Sequence, residues 1–311
     1  MLKMVHGDAF NRYKEIGAQR LERIKRQLHE RGVRLCGSNN SRLSRDMDLP
    51  CALDAPDRYH WFAYEFGSHH FDFLRAMYQL SNGRCGVVGI DGDPNMPAHL
   101  SVTFEEFYLY HLEKFRKCPP NVCCFAGNCA SFSMQAVQHH GRSEEPVNGA
   151  PSTYECAQKI EFANETNLYI KLIMLAAWEA NPNCKVLFET PKGYCTKQPI
   201  YKDVFLGIFR LKETRFCKCK CFGTKYRKEI NIVNNMRYWP VNKKDVADRL
   251  CTSTSLCCFA CKTGRHPKVV EGAESRGSAR FGVAMAESLA EACLHEFRLV
   301  HWQELEKSVR L

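Results

Sequence analysis

The chain has 311 residues, of which 45% are hydrophobic and 11% aromatic, and its 44 Lys and Arg outnumber its 34 Asp and Glu to give a net charge of +10. This composition is typical of one large globular domain or two small ones, and it excludes a disordered chain, a collagen-like fibre and a peptide-sized scaffold. No apolar run approaches the ~20 residues that span a bilayer, and no apolar signal segment follows Met1. We therefore expect an intracellular protein of the nucleus or cytoplasm, with no membrane partner. The positive charge favours nucleic acid as a partner but does not prove it.

The 18 cysteines are the least usual feature of the composition. In a reducing compartment they are thiols, metal ligands or nucleophiles rather than disulfides. Most of them are expected to be small buried apolar residues. The sequence context must therefore show which few have another role.

The N-terminal part divides into a helix and a linker. Residues 1–34 predict a basic amphipathic helix, with Tyr13, Leu21, Ile24 and Leu28 at helical spacing. Its charged face either lies on DNA or is simply solvated. Residues 35–57 are mostly polar and predict a linker.

From residue 58 the pattern alternates between strands and helices. The predicted strands are Tyr59–Phe66, Cys85–Ile90, Val122–Ala126 and Cys184–Phe188, and the predicted helices are Phe71–Leu80, Phe162–Ala180 and Val283–Phe297. This alternation predicts an α/β fold with a mostly parallel, doubly wound sheet. In such sheets ligands bind beyond the carboxyl ends of the strands, so the residues that follow each strand are the first candidates for a site.

Three predicted strand ends carry reactive or polar residues. Asp91 and Asp93 follow the second strand, where an acid commonly binds a ribose, although Asp-Gly-Asp-Pro is also a good turn sequence. Cys129 follows the third strand in a Gly-Asn turn, where a thiol can be a nucleophile or one more buried cysteine. Glu189 ends the fourth strand, where a general acid could act.

The order and spacing of these residues resemble the DNA cytosine-5 methyltransferase family, particularly its small viral and phage-like members. The family's acidic second-strand motif is matched by Gly89–Pro94, and its Pro-Pro-Cys motif with a Phe-Ser element by Cys129 and Phe132-Ser133. Its Glu-Asn-Val or Glu-Asn-Pro motif is matched by Glu189-Thr190-Pro191. Later matches are Trp239-Pro240 and Ser278-Ala279-Arg280. The resemblance covers roughly residues 58–298.

The resemblance implies a Rossmann-like S-adenosylmethionine-dependent methyltransferase fold, with a catalytic core at 58–228, a small Cys-rich insert for target recognition at 229–275 and a C-terminal helix at 276–311 that completes the core. The implied reaction is methyl transfer to C5 of cytosine in DNA, with RNA not excluded. Cys129 would add to C6 and Glu189 would act at N3. The implied cofactor and nucleic-acid contacts are Phe66, Gly67, Ser68, Asp91 and Asp93 for S-adenosylmethionine and Arg227 and Lys228 for DNA.

The chain departs from the family pattern at several motifs, and two of the departures are Asn121 in place of an acid and Thr190 in place of Asn. Gly127-Asn128 replaces Pro-Pro before Cys129, and only Phe66-Gly67-Ser68 remains of the glycine-rich first loop. An alternative hypothesis is therefore a catalytically degenerate protein of this fold that binds nucleic acid.

A second cysteine pattern lies in the predicted insert. Cys251, Cys258, Cys261 and His266 have the spacing of a four-ligand zinc site, and Cys257 could replace Cys258. The segment has little apolar material of its own, so a metal would supply stability. Unligated thiols are the alternative. Cys217, Cys219 and Cys221 alternate, as residues on one face of a strand would.

Overall fold

The computed structural model describes residues 47–68, 70–93, 95–126, 154–191, 195–197, 211–224, 228–252, 255–257, 266 and 282–309. The strands are β1 (Trp61–Phe66), β2 (Cys85–Ile90), β3 (Val122–Phe125), β4 (Lys185–Pro191), β5 (Lys212–Cys217) and β6 (Glu229–Asn234). The α-helices are α1 (Asp72–Leu80), α2 (Phe104–Tyr110), α3 (Glu113–Lys117), α4 (Tyr154–Ala180), α5 (Lys218–Phe222), α6 (Val246–Arg249) and α7 (Val283–Val309). Short 3-10 helices lie at Pro56–Arg58, Cys195–Lys197 and Pro240–Lys243.

The strands form one mostly parallel sheet in the order β2-β1-β3-β4-β6-β5. Strands β1 to β4 are parallel, whereas β6 is antiparallel to both of its neighbours, β4 and β5. The chain runs from β1 outward to β2 and then returns to place β3 on the other side of β1. The sheet therefore has a topological switch point between β1 and β3, which is where Rossmann-like sheets bind ligands. This architecture confirms the predicted α/β class and the mostly parallel sheet.

Both faces of the sheet are covered by helices, which is why its central strands are continuous apolar runs. All six residues of β2 are buried. On one face α2, α3 and α4 pack over the aromatic side chains of Tyr64, Phe66 and Phe125. On the other face α1 and α7 pack over Val87, Val122, Cys124, Leu187 and Ile232. Two apolar layers thus hold the carboxyl ends of β1, β3 and β4 in fixed positions.

The predicted domain boundaries need correction at two places. The end of the predicted linker packs on the sheet, since Ala52 is fully buried and its N–H donates to Val87 O at 3.1 Å. Glu229–Asn234, predicted to open the insert, is strand β6 and lies between β4 and β5. The predicted 1–34 helix lies outside the described residues.

The C-terminal and cysteine-rich segments also have defined places. The predicted C-terminal helix is α7, which packs along α1 through buried residues such as Leu289 and Cys293. Cys217 ends β5, but Cys219 and Cys221 lie in helix α5, so the three cysteines do not share a strand face as predicted. Within the described residues, no helix is both long and apolar enough to cross a membrane.

Candidate functional site

A small cleft opens at the switch point of the sheet, at the carboxyl ends of β1, β3 and β4. Three carboxyl groups line the cleft together with residues at the start of α1. The lining residues are Glu65, Ser68, His70, Phe71, Asp72, Ala126 and Glu189. Residues from three different strands thus converge where the topology predicts a ligand. Glu189, the acid that the sequence predicted from its strand end, is one of them.

The turn after β1 needs glycine at position 67. Gly67 has φ +68°, and a Cβ atom there would lie 3.0 Å from both Ala126 O and the Phe104 ring. Its N–H donates to Ile90 O at 2.8 Å, which ties the turn to the end of β2. Phe71, at the start of α1, also has a left-handed backbone, with φ 52°. Such a conformation costs a non-glycine residue about 1–3 kcal/mol and is often found at functional sites.

Glu65 is a buried acid on the floor of the cleft. It is fully buried in β1, and its Oε2 accepts a hydrogen bond from the N–H of Leu74 at 3.1 Å, so it caps the first turn of α1. Burial raises the pKa of Glu65 to about 8, although the nearby Ser68 hydroxyl and the Leu74 N–H both lower it. No described residue offers its Oε1 a well-oriented hydrogen bond. Because a pKa of about 8 leaves Glu65 protonated at neutral pH, this oxygen is a candidate to donate a hydrogen bond to a ligand in the cleft.

Two lysines face Glu189 from the side of β5 and β6. Lys228 Nζ lies 3.7 Å from Glu189 Oε1. Lys218, the first residue of α5, is only 2% exposed; burial lowers its pKa to about 8, whereas the Glu189 carboxylate raises it. The Lys218 N–H donates to Lys228 O at 2.9 Å, which joins the two lysines through the backbone. The wall of the cleft at Glu189 is thus positively charged.

Asp91 and Asp93 form a turn directly after β2. Asp91 is 3% exposed, and its Oδ1 accepts from the Asp93 N–H at 2.9 Å. Asp93 Oδ1 accepts from the backbone and side-chain nitrogens of Asn95 at 2.9 and 3.0 Å. These bonds fit the turn interpretation of the motif. Asp91 directly follows Ile90, and the Ile90 carbonyl accepts a hydrogen bond from the Gly67 N–H. Asp91 is therefore linked to the turn after β1 more directly than Asp93 is.

Other predicted site residues lie elsewhere or outside the described part of the chain. The Phe66 ring packs on the opposite face of the sheet, stacked on Phe125 with centroids 4.7 Å apart, so it is a core residue. Cys129 and Arg227 lie outside the described residues. The strand that leads to Cys129 ends at Phe125, and Ala126 follows it in the cleft lining.

A second cluster of chemistry-bearing side chains lies beyond α5. Cys219, Cys251, Cys257 and His266 place their ligand atoms within 4.8 Å of one another, and the group could hold a metal ion. Of the ligands predicted from spacing, Cys251 and His266 belong to this cluster. Cys257 takes part, as the sequence allowed, whereas Cys258 and Cys261 lie outside the described residues. The chemistry of the donor set, three thiols and an imidazole, fits zinc.

Sequence reasoning missed three of these residues. Glu65 was hidden because an acid inside the apolar strand Trp61–Phe66 gives no motif, although a buried acid in such a strand is itself a signal. Lys218 did not stand out because it is one of several lysines in the basic stretch at 215–228. Cys219 was not connected with Cys251 because only the fold brings them together.

No model of a protein family matches the sequence, and no curated protein matches it.

Proposed function

We propose that the protein transfers a methyl group from S-adenosylmethionine to C5 of cytosine in DNA. The observation that carries this proposal is the convergence of Glu189 with the ends of β1 and β3 in one cleft at the switch point of the sheet. The end of β3 leads into the motif that contains Cys129. Three of the motifs that resemble the family thus start from one edge of one sheet.

The cleft has features that fit S-adenosylmethionine. S-adenosylmethionine carries cationic sulfonium and ammonium groups, and the carboxyl group of Asp72 in the cleft lining would attract them. Gly67 allows close approach of the backbone after β1. Asp91, after β2, would accept hydrogen bonds from the ribose. When bound, the cofactor would supply an electrophilic methyl group next to the cytosine ring.

The residues of the chain would make cytosine reactive. C5 is a poor nucleophile until a thiolate adds to C6 and turns the ring into an enamine, which is the role proposed for Cys129. Glu189 would hold a proton at N3 and so offset the negative charge that the ring gains as sulfur adds. After methylation the C5 proton is lost, the carbon–sulfur bond breaks and the thiolate is regenerated. Lys218 and Lys228 would keep this wall of the cleft positive.

The target base must leave the DNA stack to reach Cys129 and Glu189. The net charge of +10 favours contact with the phosphate backbone. Arg227 and Lys228 are the proposed contacts with the phosphate backbone, and Lys228 lies 3.7 Å from Glu189. Since Lys228 already pairs with Glu189, Arg227 is the better candidate for a phosphate contact alone.

The test is methyl transfer from labelled S-adenosylmethionine to cytosine-rich duplex DNA, with the product identified as 5-methylcytosine after digestion. We expect transfer by the wild-type protein and a loss of about 10²–10³-fold in Glu189→Gln. Glu213→Gln is the matched control, since Glu213 is an exposed acid in β5 of the same sheet. DNA binding without any transfer would reject the enzyme and favour the degenerate binding protein.

A further inference from the structure

We propose that Cys219, Cys251, Cys257 and His266 form a structural zinc site that fastens the segment after α6 to helix α5. Cys251 and His266 were predicted from sequence spacing and Cys257 was an alternative to Cys258, whereas Cys219 was not predicted. The site does not depend on the proposed function.

The distances fit tetrahedral coordination. In the structure His266 Nε2 lies 3.4 Å from Cys251 Sγ and 3.3 Å from Cys257 Sγ. Two ligands at ordinary zinc bond lengths in a tetrahedron lie about 3.6 Å apart for sulfur and nitrogen. The two distances from His266 are therefore within tenths of an ångström of those in a zinc site. Cys219 supplies the fourth ligand, and all four ligand atoms lie within 4.8 Å of one another.

Hydrogen bonds support the ligands. The Cys257 N–H donates to Cys251 Sγ at 3.3 Å, a bond that would stabilise a metal-bound thiolate. Lys220, one residue after Cys219, donates from Nζ to Leu256 O at 2.7 Å and to Ser255 Oγ at 3.2 Å. These contacts hold the segment before Cys257 against α5. The ligands are thus held from two separate elements.

Few apolar side chains pack around the four ligands. Its buried group consists of Cys217, Cys219, Cys251 and Cys257, with Leu250 packed against it. Four small sulfur side chains and one leucine bury too little area to hold this segment in place. A metal ion would supply the missing stability, as it does in small metal-dependent domains.

A zinc ion at this site would also hold helix α5 in place. Cys219 follows Lys218, whose N–H is bonded to Lys228 O beside Glu189. Zinc would therefore hold α5 at the same time as it holds the 251–257 segment. Loss of the ion should loosen both, while the sheet core between α1 and α4 keeps its packing.

The first test uses the wild-type protein. Elemental analysis should find one zinc per chain, and X-ray absorption at the zinc edge should show three sulfur ligands at about 2.3 Å and one nitrogen at about 2.0 Å. Protein purified without chelator and free of metal, even after zinc is added back, would overturn the proposal.

The second test assigns the ligands. Alkylation followed by mass spectrometry should show that a chelator speeds labelling of Cys219, Cys251 and Cys257 about tenfold or more. Buried Cys293, which lies in the sheet core, should stay protected in both conditions. Chelator-dependent labelling of Cys258 and Cys261 with no change at Cys219 would overturn the assignment.

The third test uses variants with a matched control. Cys219→Ser should lose bound zinc, whereas Cys217→Ser should retain one zinc per chain. Cys217 is equally buried and two residues away, but it is not among the four grouped ligands. Zinc retained by Cys219→Ser at wild-type affinity would contradict the proposal.

Discussion

Replacing Glu65 with glutamine is expected to remove a pH dependence from the stability of the protein. Glu65 is fully buried, and burial raises its pKa from 4.5 to about 8. Above pH 4.5 the unfolded chain loses this proton while the folded protein keeps it, so the folded state binds more protons. Stability from this group is therefore present below about pH 4.5 and is lost as the pH rises towards 8.

The size of the effect follows from the pKa shift. One unit corresponds to 1.36 kcal/mol, so the contribution of Glu65 to the free energy of unfolding should fall by about 3.5 kcal/mol between pH 5 and pH 8. Glutamine keeps an oxygen that can accept the hydrogen bond of the Leu74 N–H, but it has no proton to lose. The variant should therefore become more stable than the wild type as the pH rises.

Urea denaturation at half-unit pH intervals measures this effect. The difference in unfolding free energy between Glu65→Gln and wild type should increase by about 3.5 kcal/mol from pH 5 to pH 8. Glu161→Gln is the control, because Glu161 is exposed on α4 and its curve should run parallel to that of the wild type. Parallel curves for Glu65→Gln and wild type would refute the reasoning that Glu65 is protonated when buried.

Three further predictions concern stability. Gly67→Ala should cost about 1–3 kcal/mol in urea denaturation, because its φ is positive and a Cβ would meet Ala126 O; an unchanged midpoint would contradict this. Lys185 is largely buried and lies 2.6 Å from Glu296. Glu296→Ala leaves this lysine without its partner and should lower the free energy of unfolding by about 3–5 kcal/mol in the same assay, whereas Glu296→Gln should cost less. Burial lowers the pKa of His99, so its contribution to the free energy of unfolding is present above about pH 6.5 and is lost as the pH falls. The unfolding free energy of His99→Gln should therefore fall less between pH 7 and pH 5 than that of the wild type, and equal pH dependence would contradict the reasoning.

Much of the sheet could be predicted because its parallel strands are buried on both faces. Cys85–Ile90 is a continuous apolar run bounded by turn residues, and the structure gives it the same bounds. Glu229–Asn234 was assigned to the insert because the resembled family keeps its target-recognition insert at this place in the chain. It joins the sheet through antiparallel pairing with β4 and β5, and a single sequence does not show that pairing.

The residues of the candidate sites likewise divide into those that the sequence could predict and those that it could not. Glu189 was predictable because it ends an apolar strand, and strand ends meet at one edge of a parallel sheet. Cys251 and His266 were predictable because their spacing is local. Glu65 and Cys219 were not, since the role of each depends on residues that only the fold places beside it.

The proposed function is tested most directly by a covalent trap on DNA that contains 5-fluorocytosine. The fluorine at C5 cannot leave as a proton does, so the final elimination is blocked and the bond between Cys129 and C6 persists. With S-adenosylmethionine present we expect a stable protein–DNA complex whose modified peptide contains Cys129, and Cys129→Ser should bind the DNA but form no complex. No adduct at saturating cofactor on varied DNA, or an adduct on another cysteine, would contradict the proposal.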